Sequence, residues 1–359
     1  MIKMNSYKLS VIVPTFNSGK FLCNLFDSLL GQTIGFENIE VIFVDDASSD
    51  SYTLDLIESL VSKYSNCRAI FLKDNSGFPG KPRNIGIDKS KSDYVIVADH
   101  DDSYEKNTLE ILYDNINENN ADVVISNFNQ VYNDNIIPYK SSYKKNTEIL
   151  DISKNKEILG ISAAIWTRLF RKDFLVKNNI KFLEGMLAED VYFACNTSLN
   201  ASKIIYLAEF YGYNYYIRDS EDNKSTIHIR NKKYLEAILN GYYEIVKMLK
   251  NQKKLEYSDY IFKSHLTSWL YTIVISEIND EDKKELFSKC KPLYNEYYVD
   301  DPYFEGNYEN LVNFIKNNEL DLAINEVNKL KSSQKNINSY LNENKYKRLF
   351  KSLKNKLKS

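Results

Sequence analysis

Four apolar runs, each stopping at a polar or acidic cluster, constrain the fold of this chain more than any other feature. Leu9-Ser-Val-Ile-Val-Pro14 stops at Pro14-Thr15, and Ile39-Glu-Val-Ile-Phe-Val44 stops at Asp45-Asp46. Arg68-Ala-Ile-Phe-Leu72 ends shortly before Asn75-Ser76-Gly77, and Tyr94-Val-Ile-Val-Ala98 gives way to Asp99-His100-Asp101-Asp102. Short continuous runs rich in β-branched residues read as strands buried on both faces. Between them, apolar residues recur at helical spacing: Phe21, Leu22, Leu25 and Leu29, then Leu54, Ile57, Leu60 and Val61, with a short helix expected over 83–91. Thr15-Phe-Asn17-Ser18 and Ala47-Ser-Ser-Asp50 supply the side-chain oxygens that cap helix N-termini. Strands alternating with helices in this way predict a parallel sheet covered by helices, whose ligands gather beyond the carboxyl ends of the strands. All four polar clusters fall at that edge.

The last cluster carries the most chemistry. Side chains alternate along a strand, so Asp99 and Asp101 point one way as the strand ends and His100 points away from them. Carboxylates this close repel unless a cation lies between them. Hard oxygen ligands with an open approach suit Mg²⁺ or Mn²⁺, which in turn grips phosphate oxygens. A plainer reading is a solvated turn in which Asp102 and Ser103 cap a helix over 105–113. The usual nucleotide signatures are missing: no G-x-G-x-x-G follows the first strand, and Gly77-Phe-Pro-Gly80-Lys81 is too short for a P-loop, with Pro82 where a hydroxyl is needed. Phosphate is then expected to meet a metal on the Asp cluster and a nearby cation such as Arg83. Pro79 and Pro82 would stiffen the intervening loop.

Composition narrows the partners. Lys+Arg 47 against Asp+Glu 49 leaves a net charge of −2, so nothing draws the chain as a whole to nucleic acid. The 28 Tyr and 18 Phe offer many rings for stacking on bases or sugar faces. Cys23, Cys67, Cys195 and Cys290 lack metal-type spacing and fit reduced thiols. No signal-peptide core opens the chain and no run approaches 18 apolar residues, so a cytoplasmic protein without a membrane span is expected.

Further along, 122–132 reads as a strand and 136–155 as a polar, Lys-rich excursion. Trp166 and Arg168 suit either core or surface, Glu189-Asp190 opens a helical stretch, and the Tyr-rich run from Tyr206 to Tyr216 is a late strand. From Asn231 on the pattern is helical, including 260–278 and 319–330, and offers candidate acceptor-binding or homo-oligomer surfaces. After a polar link at 336–344, Tyr346, Leu349, Phe350, Leu353 and Leu357 share one helical face among seven basic residues. Such a tail, 344–359, suits an anionic membrane surface, a packed helix being the alternative.

Val11-Ile-Val-Pro-Thr-Phe-Asn17, Val44-Asp-Asp-Ala-Ser-Ser-Asp50 and Asp99-x-Asp101-Asp102 together resemble the family 2 glycosyltransferases of the GT-A fold. Asn75-Ser-Gly-Phe-Pro-Gly-Lys-Pro-Arg83-Asn84 and Ala188-Glu189-Asp190 are similar to the wall teichoic acid glycosyltransferases of Gram-positive bacteria, which glycosylate poly(ribitol phosphate) from UDP-N-acetylglucosamine. The likeness covers about residues 8–220. It implies an α/β GT-A fold, a Rossmann-like mixed sheet flanked by helices, followed by a helical C-terminal region. The implied divisions are a catalytic domain over 1–225 (nucleotide-sugar half about 1–120, acceptor half about 121–225), a helical region over 226–335, and a linker with the basic tail over 336–359.

The same resemblance assigns roles. Pro14 and Thr15 would line the uracil and ribose pocket, Asp46 would accept the uracil N3–H, Asn75 would contact uracil, and Arg83 would face the pyrophosphate. Asp99 would meet ribose or metal and Asp101 the metal, Mn²⁺ or Mg²⁺. Lys224 is a candidate donor contact and His228 a candidate metal ligand, while Trp166 or Arg168 would touch the acceptor. Asp190 would be the base of a single inverting displacement, with Glu189 positioning it or binding acceptor. The activity implied is transfer from a UDP-sugar (UDP-GlcNAc or UDP-Glc) to a cell-envelope glycopolymer. Capsular, exopolysaccharide or lipid-linked oligosaccharide synthesis is the neighbouring alternative. A nucleotidyltransferase would need a glycine-rich signature after the first strand that is missing, and a non-catalytic sugar-binding module would have no use for metal site and base together.

Overall fold

The computed structural model describes residues 7–132, 135–218, 230–297 and 308–333. Lys224, His228 and the basic tail 344–359 lie outside the described residues. The four apolar runs become strands β1 (Leu9–Thr15), β2 (Ile39–Asp45), β3 (Cys67–Phe71) and β4 (Tyr94–Val97). They pair in parallel in the order β3-β2-β1-β4. Every residue of β1, β2 and β4 is buried, which is why these runs carry so little polar alternation. Helices α1 (Phe21–Leu30), α2 (Ser51–Lys63) and α3 (Gly80–Lys89) make the crossovers.

Two local expectations shift. The third helix starts at Gly80, three residues before the expected start, because the first turn of a helix leaves its N–H groups unpaired and so accepts Pro82 without loss. The expected helix over 105–113 runs instead over Thr108–Glu118 (α4), and Asp102 does not cap it. Ser103–Tyr104 pairs as a two-residue strand, β5, with a later strand.

Beyond α4 the sheet becomes mixed. β6 (Val123–Tyr132), β7 (Asn135–Pro138), β8 (Thr147–Ile149), β9 (Arg168–Arg171) and β10 (Ile204–Tyr216) complete ten strands among the described residues, in the order β3-β2-β1-β4-β9-β6-β10-β5, with β7 on β6 and β8 on β10. β9 lies antiparallel between β4 and β6, whereas β6 and β10 are parallel. α5 (Lys172–Lys177) and α6 (Glu189–Asn200) precede β10. The polar excursion over 136–155 therefore contributes two edge strands.

The helical region holds α7 (Lys232–Asn251), α8 (Ser258–Ile275), α9 (Asp280–Tyr297), α10 (Glu309–Asn317) and a last helix, α11, over 320–333. The α9 helix was hidden by its charged first turn, Asp280-Glu281-Asp282, which suits a helix N-terminus. Its buried stripe of Phe287, Cys290, Leu293, Tyr294 and Tyr297 keeps helical spacing. The chain divides into two compact units, Met1–His228 with Ala237–Tyr260 and Ile229–Glu236 with Ile261–Ser359. In the second, Trp269 is buried with its indole N–H donating to the Leu235 carbonyl at 2.9 Å. Among the described residues no helix is long and apolar enough to cross a membrane.

Candidate active site at the strand ends

The first carboxylate turn lies after β2. Asp45 accepts from the Thr15 hydroxyl at 3.1 Å and from Ser48 N–H at 2.9 Å. Asn17, at φ +47°, gives its side-chain oxygen to the Ser49 and Asp50 N–H groups, tying the end of β1 to the start of α2. Asp50 then caps α2 by accepting from the Tyr52 and Thr53 N–H groups. The buried Asp46 carboxylate receives the Ser76 N–H at 3.0 Å and the Ser76 hydroxyl at 2.8 Å. Asn75 donates to the Asp46 carbonyl at 2.9 Å and accepts from Gly77 N–H at 2.7 Å. Pro14, Thr15, Asp46 and Asn75 are thus neighbours, and Ser76, unnoticed in the sequence, fixes the direction of the Asp46 carboxylate.

The second turn, Asp99–Asp102, is held by cations and by β10. Asp99 accepts from Arg83 Nη2 at 3.0 Å, with 29% of its side chain exposed. Asp101 pairs with Arg218, whose guanidinium lies 4.5 Å from the centre of the Phe21 ring. Asp102 is buried and accepts from the Tyr213 hydroxyl at 3.0 Å and Tyr216 N–H at 2.8 Å. Burial first, and the Asp101 and Asp99 charges second, push its pKa well above the ordinary aspartate value. The solvated capping turn is therefore not what forms. His100 is half-buried.

Asp99 and Asp101 fit a divalent ion in one respect: a cation already stands on each. Among the described residues no three His, Cys, Asp or Glu side chains gather as a metal cage. An ion held by two carboxylates would complete its shell with water and substrate oxygens, the usual habit of Mg²⁺.

The third component is the turn before α6. Ala188 adopts φ +61°, in the left-handed region that costs a residue with a Cβ, and presents Glu189 and Asp190 as the first turn of the helix. Both carboxylates benefit from the helix N-terminus. The strained turn is held from two sides. A Cβ on Gly241 of α7 would lie 2.2 Å from the Leu187 carbonyl oxygen, and one on Gly80 of α3 would lie 2.0 Å from that of Leu183. Asn84, one turn on from Gly80, donates to the Phe182 carbonyl at 3.0 Å and accepts from Phe182 N–H at 2.9 Å.

Arg83 sits between those two contacts on the same helix and joins the components. It is 5% exposed, donating from Nη1 to Glu189 at 2.8 Å and from Nη2 to Asp99 at 3.0 Å, with the Phe182 ring 5.3 Å away. Burial opposes its charge, but Asp99, Glu189 and Asp190 outweigh that and raise its pKa. Burial, then the Asp190 charge, moves Glu189 up to about 7; burial raises Asp190 as well. Asp190 accepts from Val191 N–H at 2.7 Å. Trp166 and Arg168, expected at the acceptor, are buried: the indole stacks on Tyr213 at 4.2 Å, and Arg168 donates to the Ser162 carbonyl at 2.9 Å. Each satisfies the core instead.

Four similarities bear on this arrangement. The profile of Glycosyl transferase family 2 matches residues 10–175. The poly(ribitol-phosphate) β-N-acetylglucosaminyltransferase TarP of Staphylococcus aureus is 34% identical over 258 residues, covering 69% of this chain and 75% of TarP. The poly(ribitol-phosphate) β-glucosyltransferase of Bacillus spizizenii is 31% identical over 232 residues, covering 64% of this chain but only 36% of that longer protein. A crystal structure of S. aureus TarS 1–349 in complex with UDP-GlcNAc superposes with a TM-score of 0.68 at 26% identity, covering 88% of this chain and 89% of that one. The chain belongs to glycosyl transferase family 2.

Proposed function

We propose that this family 2 glycosyltransferase moves a sugar from a UDP-sugar, UDP-GlcNAc or UDP-Glc, to a hydroxyl of a wall-teichoic-type glycopolymer, inverting the anomeric carbon. One observation carries the reading: Arg83 binds both Glu189, beside the proposed base, and Asp99, on the proposed donor turn. The proposed base and leaving-group site would thereby be held in fixed relation, as a single displacement demands. The activities that name TarP and the Bacillus relative support the acceptor, and the UDP-GlcNAc complex of TarS supports the donor.

Pro14, Thr15, Asp46 and Asn75 would receive the uridine. The Asp46 oxygens, aimed by Ser76, keep lone pairs for an imide N–H. Asp190 would take the proton of the attacking hydroxyl, and its raised pKa makes it a stronger base than a solvated Asp. Glu189 would hold Arg83, so Arg83 would act on the diphosphate side through Asp99. A Mg²⁺ or Mn²⁺ ion on Asp99 and Asp101 would supply Lewis-acid neutralisation of the departing diphosphate. Lys224 as a donor contact and His228 as a further metal ligand belong to the same proposal, as does a cytoplasmic enzyme whose residues 344–359 meet the anionic inner leaflet.

A thermal-shift and hydrolysis screen of nucleotide sugars with Mn²⁺ and Mg²⁺, followed by transfer to ribitol-phosphate polymer, tests the reading. Asp190→Asn should bind the donor as before and lose transfer by about 10²–10⁴-fold. Collapse of donor affinity in that variant would overturn the base assignment.

A further inference from the structure

We infer that Tyr213 is a positioning residue of the acidic turn, its hydroxyl setting where Asp99 and Asp101 stand for a divalent cation. The inference rests on the metal reading above and assigns the group that makes it work. Tyr213, on β10, is fully buried. Its ring is fixed on two sides, stacked on Trp166 at 4.2 Å and edge-on to Tyr104 at 4.8 Å. The Tyr104 hydroxyl is anchored in turn by the Val97 and Trp166 carbonyls, at 3.2 and 3.1 Å.

The Tyr213 hydroxyl therefore has one place to be, and it spans the turn. It accepts the Asp99 N–H at 3.3 Å and donates to Asp102 Oδ2 at 3.0 Å. The Tyr216 N–H takes the other Asp102 oxygen at 2.8 Å, and the Asp102 N–H closes the turn on the Asp99 carbonyl at 3.4 Å. Residues 99 and 102 are both fixed, so the two between them have little freedom left. The chemistry also accounts for the third acid. Two donors converge on residue 102, and a carboxylate offers an acceptor atom to each, whereas an Asn offers one.

The test is Mn²⁺ binding to the purified full chain, followed by electron paramagnetic resonance, with donor KM and kcat measured alongside. Tyr213→Phe removes one oxygen and leaves the Asp99 N–H and Asp102 Oδ2 without their partner. It should weaken Mn²⁺ binding by about tenfold or more, the order seen when a group behind a metal ligand is lost, and raise KM more than it lowers kcat. Asp102→Asn should move both readouts the same way, and serves if Tyr213→Phe does not fold. Tyr94→Phe strips a tyrosine hydroxyl that meets Asn117 at 3.4 Å, outside the cluster that holds the turn, and should change Mn²⁺ affinity by no more than about twofold. Wild-type Mn²⁺ affinity in both Tyr213→Phe and Asp102→Asn, or an equal loss in Tyr94→Phe, overturns the inference. Asp101→Ala separates the two layers: if it binds Mn²⁺ as the wild type does, the acidic turn is not the metal seat and the parent reading falls first.

Discussion

The turns after β2 and β4 are both acidic, yet they are stabilised by opposite means. Asp45 and Asp46 are satisfied by neutral donors: Thr15 and Ser48 on the first, Ser76 on the second. Asp99 and Asp101 are satisfied by guanidinium groups, and Asp102 by a tyrosine hydroxyl and a backbone N–H. Neutral donors fix a carboxylate in one direction whatever else binds. Cations can be exchanged, so the second turn is the one whose electrostatics a ligand can change.

That contrast can be broken experimentally, and the strongest attempt is on Arg83. Removing a buried partner from two carboxylates should cost about 3–5 kcal/mol of stability, because it leaves them uncompensated. Arg83→Ala should accordingly lower the urea midpoint steeply and reduce transfer by more than about 100-fold, since Asp99 and Glu189 lose their common tether. An intermediate effect concerns pH. Glu189 is raised from 4.5 to about 7, so it binds more protons folded than unfolded. The stability this contributes is complete below about 4.5 and lost as pH climbs through 7. Melting temperature measured without ligands should decline across that window, and Glu189→Gln should flatten the decline; an unchanged slope would remove Glu189 as its source. The smallest effect is expected at the first turn. Ser76→Ala deletes one hydroxyl donor while its N–H remains, costing about 1 kcal/mol in urea melts and a few-fold in donor KM. Should Ser76→Ala rival Arg83→Ala, the two turns are not the different devices described here.

The same two turns explain how far the sequence could be read. Apolar runs and their acidic ends are local features, so the four leading strands, the mixed α/β class and the clustering of Thr15, Asp46 and Asn75 were legible. Arg83 and Glu189 are 106 residues apart, and Tyr213 and Asp102 are 111 apart. Nothing local marks such pairs. Arg83 read only as a cation facing phosphate, because its two carboxylate partners emerge only once α3 docks on the turn before α6. The plainer alternative for Asp102, a helix cap, rested on how often Asp sits in turns, whereas tertiary contacts with β10 decided its place. Gly80, Asn84 and Gly241 could have been flagged together only by knowing which backbone each would meet.

Arg218 on Asp101 carries one more consequence. An ion that took that oxygen would displace a resident guanidinium lying 4.5 Å from the centre of the Phe21 ring. Sodium or potassium would trade one positive charge for another and gain little, whereas a doubly charged ion brings a net surplus. Were the proposed divalent ion to seat on Asp101, the arginine would act as a valence filter, favouring that ion over the abundant monovalent salts of a cell.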